Sequence, residues 1–444
     1  MKFIFLVIIS AVLCFTGCKK DSNPSAPEAF STGSADFSVF VTLGNSITSG
    51  YQSGALFRTA QENSYGHLLA NQVKTNFDQP YVSDPGVGGR MELQGFSQNG
   101  DPVITRNANI GTFENLNLTR PYNNLGVPGA YVYDIINATN STNCYSAVNG
   151  ITINPLFDFI LRNSQLKIGS QFSQAKELKA TFVTLWIGNN DILGYATAGG
   201  KGVKYTTISN FEGMYRVLLD SLLTLKAGII VANIPDVTAI PFFTTIGPAL
   251  LKKGYPEFIW AEGSDGKVKQ MSLAENYITL NASEKLINPS NGLPSGIGLN
   301  ESQPFPNNVV LDSAEVSIVK NTIAGYNGAI SSLASARGIA VADMNTLFNE
   351  IKKSEATGGT EIDGVVFKTD YISGGLFSLD GVHPSSRGQA LIANEFIRVI
   401  NSKFGAKIPQ VFIPGISASF QKAVQIEYHG VPVSRQGTFS NMLF

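Results

Sequence analysis

This chain is short of histidine, cysteine and charge. Its 444 residues include three histidines, three cysteines and two tryptophans, and only 15% are charged. The formal net charge is −1, with no basic or acidic block. A nucleic-acid backbone demands clustered positive surface, so nucleic-acid binding is not expected. The cysteines fall at positions 14, 18 and 144. Cys14 and Cys18 lie in an N-terminal leader, which leaves Cys144 without an intrachain disulfide partner. No histidine lies near Cys144, so it reads as a structural thiol. Histidines and cysteines show no metal-ligand spacing, and no cofactor or metal is expected. Beyond the leader, no apolar run is long enough to span a bilayer.

The leader itself is informative. Lys2 is followed by the apolar core FIFLVIISAVLCF and then by FTGC, Phe15 to Cys18. The run is too short for a mature transmembrane helix and reads as a signal peptide over residues 1–17. Gly17 before Cys18 is similar to a bacterial lipobox, which implies lipid attachment at Cys18. Phe15 stands where that pattern has an aliphatic residue. Residues 18–36 are polar and rich in Pro and Ser, a flexible tether. The expected location is a lipid-anchored position in a bacterial cell envelope, with the membrane as partner through that lipid.

Four short runs rich in apolar, β-branched and aromatic residues follow: 37–43, 181–188, 227–235 and 338–344. Such near-continuous runs suit strands buried on both faces of a parallel sheet. Amphipathic stretches at 211–225, 313–338 and 386–405 alternate with them. Ser313 reads as an N-cap and Gly338 as a stop. The alternation predicts an α/β domain over 37–405, a parallel sheet flanked by helices. Two long segments, 82–122 and 236–312, interrupt it and read as lids or binding elements. The second contains WAEGSDGKVKQM, which predicts a hairpin turning at SDG. The tail 406–444 is β-rich in composition.

Ligands of open parallel sheets bind beyond the carboxyl ends of the strands. Three polar clusters stand out there, and a fourth, SLDGVHPSSRG, precedes an amphipathic stretch. In GNSITSG, Ser46 follows the first run, either as a nucleophile or as a helix cap. In NNLGVPGA, Gly126 allows close backbone approach and would leave an N–H free, or it marks a plain turn. In WIGNNDIL, Asn190 offers an amide donor or a helix start. In SLDGVHPSSRG, Asp380 and His383 at i, i+3 would share one face of a helical turn. There the carboxylate would fix the imidazole tautomer and leave the other nitrogen as a base. His67, in SYGHLLANQV, which reads as a helix, is expected to be packed or partly exposed, with substrate contact as the alternative. His429 lies in the tail without a well-spaced carboxylate except Glu427.

Together the clusters resemble the sequence blocks of the SGNH (GDSL) esterase and acylhydrolase superfamily. GNSI carries Asn45 where the name-giving pattern has Asp. The other blocks match at NLG with Gly126, GNND with Asn190, and DGVH with Asp380 and His383. The resemblance implies a three-layer, flavodoxin-like α/β fold. It further implies Ser46 as nucleophile, His383 as base and Asp380 as its partner. The oxyanion hole would be the Ser46 and Gly126 N–H groups with the Asn190 side chain.

The apolar stretch 240–260 suggests an acyl pocket or lid, with simple core packing as the alternative. The expected activity is hydrolysis of lipid or other acyl esters through an acyl-enzyme. Removal of acetyl groups from polysaccharides is the competing reaction. A binding protein that kept the fold without the chemistry is the reading from another class.

Overall fold

Each of the four apolar runs becomes a strand of one parallel sheet. The structure, a computed structural model, describes residues 29–418 except 99 and 288–293, together with 433–434. The leader, Cys18 and His429 lie outside the described residues. The first run forms β1 (Phe40–Gly44). The segment after it holds an antiparallel hairpin, β2 (Met91–Phe96) and β3 (Pro102–Arg106). The second and third runs form β4 (Phe182–Trp186) and β5 (Gly228–Ala232). The SDG hairpin is β6 (Phe258–Glu262) and β7 (Val268–Ser272). The two-residue strands β8 (Tyr277–Ile278) and β9 (Val310–Leu311) pair next, and the fourth run supplies β10 (Ala340–Ala342).

The sheet runs β1-β4-β5-β10, all parallel. A further run, 123–127, lies along the other edge of β1. Thr42 N–H donates to Asn123 O at 2.9 Å, and the Leu125 and Val127 N–H groups donate to Thr42 O and Gly44 O at 2.9 and 3.1 Å. That bridge is parallel too. In chain order the sheet therefore reads 2-1-3-4-5, the flavodoxin-like order. The reversal falls beside β1, so the carboxyl ends of β1 and β4 open on the crevice where such sheets bind ligands.

Helices cover the sheet. The helix Ser386–Phe404 packs on the helix Tyr65–Val73, with the Phe396 ring stacked on Tyr65 at 4.8 Å and edge-on to Trp186. The helix Ile208–Leu223 packs on Ser313–Ser335, with Phe211 stacked on Tyr326 at 4.0 Å. Every residue of β1 and β4 is buried. A strand covered on both faces gains from apolar residues at every position, which is why no alternation marks these runs.

Several expected boundaries shift. The N-cap of Ser313–Ser335 is Asp312 rather than Ser313. Its Oδ1 accepts from the Ala314 and Glu315 N–H groups at 3.0 Å, while Glu315 Oε2 accepts from Asp312 N–H at 2.9 Å, a reciprocal capping box. The folded domain begins earlier than residue 37: Lys407 N–H donates to Ser31 O at 2.7 Å, and Ala35 is buried. Residues past 405 likewise belong to the domain, since Ala406, Ile408, Val411 and Ile413 join the core. In the second long segment Ile240, Phe242, Phe243, Ile246, Leu250 and Ile259 are core residues. That stretch is mostly packing rather than lid, because its apolar side chains have a core to join.

The capping box gives a stability prediction. Asp312 also accepts from the Ser264 N–H and hydroxyl at 2.8 and 2.7 Å, fastening the SDG turn to the helix start. Asp312→Ala should cost about 1–2 kcal/mol. The check is a lower urea midpoint at unchanged m, with Asp312→Asn losing less.

Candidate active site

The serine turn is built by steric necessity and side-chain capping. A Cβ on Gly44 would lie 2.2 Å from Thr48 Oγ1 and 2.4 Å from Trp186 O, so only glycine fits where β1 ends. Asn45 then caps the one-turn helix Ser46–Ser49, its side chain accepting from Ile47 N–H at 3.1 Å. Its amide group reaches Asn189 Oδ1 at 3.5 Å, linking the first cluster to the third. Asparagine at 45 thus braces the turn. The helix carbonyls are held as well: Gln389 Nε2 donates to Ile47 O at 3.0 Å, and Asn124 Nδ2 to Thr48 O at 2.8 Å. Ser46 is buried, and its backbone N–H meets no acceptor among the described residues.

The second cluster needs a correction. Gly126 does not present a free N–H. In the run along β1, Leu125 and Val127 point their N–H groups at β1, so Gly126 points away from it. There Asn124 Oδ1 accepts its N–H at 3.0 Å. Gly126 is needed for closeness instead: a Cβ would lie 2.6 Å from Ser49 N. The glycine beside the third cluster is Gly129, which the sequence reading passed over. Val127-Pro128-Gly129-Ala130 is a turn closed by Ala130 N–H to Val127 O at 3.0 Å, with Gly129 at φ +80°. Pro then Gly at these positions is the type II signature, and it was legible in GVPGA. Asn154 Nδ2 donates to Pro128 O at 2.7 Å. That fixes the Pro128–Gly129 peptide plane and aims the Gly129 N–H the opposite way. This N–H has no acceptor among the described residues. Asn190 donates one amide hydrogen to Ala130 O at 2.9 Å, which leaves the other hydrogen of its NH2 group.

Asp380 and His383 meet, but in a loop and not on a helical turn. His383 Nδ1 lies 2.9 Å from Asp380 Oδ2, with both side chains buried. Asp380 Oδ1 accepts from the Val382 and His383 N–H groups at 2.9 and 2.8 Å and from Ser378 Oγ at 3.1 Å. Gly54 N–H donates to Oδ2 at 2.8 Å. Burial pushes the Asp380 carboxyl up, but the His383 charge and these hydrogen bonds outweigh it and hold it below its ordinary value. The Tyr51 ring lies 4.8 Å from the imidazole.

Ser46, Asn190 and His383 line one cleft with Asn45 and Asn189. Its remaining walls are mostly apolar, among them Trp186, Leu193, Val237, Ile240, Phe348 and Phe377. The cleft is small, about 40 Å³. A larger depression, about 550 Å³, lies at the opposite ends of the strands near Ala180 and Gly228. Lys176, Lys179 and Lys226 line it where two helices end, and lysines there suit the negative ends of those helices. It contains none of the four clusters, so the small cleft is the candidate site.

The other candidates stay apart. His67 sits in the helix Tyr65–Val73, its ring edge-on to Phe77 at 6.4 Å, and burial lowers its pKa. Cys144 is buried, with Sγ 3.3 Å from Ser141 O and from Ser146 Oγ. Neither lines the cleft. Among the described residues no His, Cys, Asp and Glu group is placed to hold a metal, and no helix is long and apolar enough to cross a membrane.

Comparison with known proteins adds the family. The model of GDSL-like Lipase/Acylhydrolase matches residues 40–396. Among solved structures, an acetylxylan esterase from Geobacillus stearothermophilus is 13% identical, with 83% of this chain and 96% of that chain covered and a TM-score of 0.36. An alpha/beta hydrolase enzyme from the metagenome of Lake Arreo, Spain, gives the same identity and coverage with a TM-score of 0.35. No curated protein matches.

Two buried carboxylates brace the second and third clusters and make a pH prediction. Asp191 accepts from Val132 N–H at 3.0 Å and Thr206 Oγ1 at 2.8 Å, and Asp134 accepts from the Tyr131 and Tyr145 N–H groups at 2.8 and 2.6 Å. Burial outweighs these bonds and pushes both carboxyls up to about 7. The folded chain then holds protons that the unfolded chain has released, so stability falls as pH rises from about 4 to about 7. Asp191→Asn removes one of the two titrations. Its melting temperature should therefore fall less steeply than that of the wild type across this window.

Proposed function

This chain belongs to the GDSL-like lipase/acylhydrolase family, and on that footing we propose that Ser46 is its nucleophile, His383 its general base and Asp380 the partner that orients the imidazole. The observation that carries the assignment is the shared cleft of Ser46, Asn190 and His383, with His383 Nδ1 held on a buried carboxylate. Asp380 on Nδ1 leaves Nε2 for the serine. Ser46 Oγ attacks the ester carbonyl carbon while its proton passes to Nε2. The tetrahedral oxyanion takes hydrogen bonds from the Ser46 N–H, the Gly129 N–H and the Asn190 amide. On collapse the C–O bond breaks, and the imidazolium protonates the leaving alcohol. Water then repeats the attack on the acyl-enzyme, with His383 taking its proton and returning it to Ser46.

The size of the cleft bears on the acyl group. A water molecule needs at least about 10–15 Å³ of such space, so about 40 Å³ admits only a few heavy atoms. Its apolar walls offer no partner for a charged acyl group. Short, uncharged acyl esters are therefore the substrate class favoured here over long-chain lipids, and acetyl esters of carbohydrates fall within it. Hydrolysis of p-nitrophenyl esters from acetate to palmitate tests this reading, which expects activity to peak at two to four carbons. Ser46→Ala should abolish turnover in a protein that melts as the wild type does. Asn190→Ala should lower kcat roughly 10²–10³-fold. Undiminished turnover by Ser46→Ala would overturn the assignment, and a maximum at palmitate would overturn the short-acyl reading.

The leader supports a second proposal, that the mature protein is lipid-anchored at Cys18 in a bacterial envelope. Mass spectrometry of the N-terminal peptide after expression in a bacterial host is the check. The expected species begins at a diacylglyceryl-modified Cys18, and an unmodified Cys18 would refute the anchor.

A further inference from the structure

Helices that connect parallel strands run back against them, so they end where the strands begin. Each of those ends carries a cation. Lys74 caps the helix Tyr65–Val73, and Lys176 and Lys179 close Gln171–Glu177. Lys226 follows Ile208–Leu223, Arg337 follows Ser313–Ser335, and Lys403 stands in the last turn of Ser386–Phe404. Contacts gather these ends on one face. Thr75 Oγ1 donates to Phe37 O at 2.7 Å, Gly228 N–H to Thr181 O at 2.9 Å, and the Phe404 ring lies edge-on to Phe182 at 5.3 Å. The acidic residues on the same ends and loops are Asp36, Asp78, Glu177 and Asp220. Asp78 pairs with Arg120 and Asp220 with Arg337. Lys74, Lys176, Lys179, Lys226 and Lys403, all exposed, thus stand there against Asp36 and Glu177. A helix end carries about half a negative charge and a lysine a full positive one, so a positive surplus remains. The whole chain has a net charge of −1, and the cleft at the other end of the strands is lined by no lysine or arginine. The positive charge is concentrated at one end.

The chain enters the domain on the same face. Lys407 N–H donates to Ser31 O at 2.7 Å, Ser34 Oγ to Phe404 O at 3.2 Å, and Lys74 Nζ lies 5.4 Å from the centre of the Phe30 ring. We propose that this basic face docks on an anionic phospholipid surface and turns the cleft away from it. The orientation rests on the proposed anchor at Cys18; the attraction of the face does not. Fully extended, residues 18–29 span at most about 40 Å, so lipid at Cys18 keeps this face near the bilayer. Lys19 and Lys20 follow that cysteine and add charge beside the lipid. Clustered lysines are drawn to anionic headgroups, and the attraction fades within a Debye length of about 8–10 Å. A five-residue strand such as β1 is about 17 Å long. With the cleft toward the bilayer, the lysines would lie beyond that range. With the basic face down, the cleft opens on the side away from the membrane, which suits short acyl esters presented from outside the bilayer.

The test is co-sedimentation with vesicles of equimolar phosphatidylglycerol and phosphatidylcholine. It uses the unlipidated chain from residue 19, which keeps every described residue. Binding should be at least roughly tenfold weaker on pure phosphatidylcholine vesicles and should fall as salt rises. Lys176, Lys179 and Lys226 rim the larger depression. Changing these three to glutamine should weaken binding to anionic vesicles roughly tenfold or more and leave turnover of p-nitrophenyl acetate at the wild-type level. The same three as arginine should bind as the wild type does, which separates charge from damage to the fold. Lys204→Gln, Lys267→Gln and Lys320→Gln together remove as much charge from other exposed positions and should keep binding. Equal binding to both kinds of vesicle, or an equal loss in the two glutamine triples, would overturn the docking face. Saturating anionic vesicles should leave turnover of p-nitrophenyl acetate unchanged, and a fall would overturn the orientation. An unmodified Cys18 would remove the anchor, and the orientation with it, but would leave the vesicle result standing.

Discussion

Everything at the candidate site hangs on one buried carboxylate. Asp380 is fully enclosed, and an enclosed carboxylate is stable only if donors replace the water it has lost. It has five contacts of that kind: the Val382 and His383 N–H groups and Ser378 Oγ on one oxygen, Gly54 N–H and His383 Nδ1 on the other. Four come from its own loop, residues 378–383. Gly54 comes from a segment more than three hundred residues earlier in the chain. The imidazole is thus oriented by a group that is itself over-determined, and this makes a single tautomer of His383 the stable one.

The same economy of polar groups runs through the opposite wall. Asn45, Asn124, Asn154 and Asn190 each spend their side chains on backbone groups. An amide both donates and accepts, so it can satisfy buried backbone without introducing a charge. That explains how a chain so poor in charged residues builds a polar site in an apolar interior. It also allows the proposed oxyanion donors to be split among three chain segments: the Ser46 turn, the Pro128–Gly129 peptide and the start of the helix Asn190–Thr197. Each is fixed by a neighbour from another segment, and the pair Asp134 and Asp191 fastens two of them at the cost of burying two carboxyl groups.

The insertions divide by role. The second, 236–312, fills volume: its apolar side chains join the core, and among its described residues only Val237 and Ile240 reach the cleft. The first, 82–122, reaches the loop 51–54 through the Met91 N–H on Ser53 O, and that loop holds Asp380 through Gly54. The cleft that results is narrow because Phe348 and Phe377, rings 5.9 Å apart, close it from segments on the far side of the sheet sequence. The proposed preference for a short acyl group is therefore a matter of packed aromatic walls.

The amino-acid sequence by itself determined the local and periodic features. Strand runs at 40–44, 182–186 and 228–232 are visible because a strand buried on both faces must be apolar throughout. Ser46 and Asn190 are visible because each stands at the end of a run, and Asp380 and His383 because they share a short pattern of small and polar residues ahead of a helix. The tertiary structure decided what depends on which way a group points and on what lies against it. Gly126 reads as a donor until the pairing of Leu125 and Val127 with β1 turns its N–H toward Asn124, and Gly129 gains its place only when Asn154 holds Pro128 O. Asp380 and His383 have helical spacing in the sequence but share a loop, because bonds from Gly54 and from Ser378 shape that turn. Gly54 carries no such signal. Its N–H reaches Asp380 Oδ2 across more than three hundred residues of chain, a contact that no local periodicity encodes.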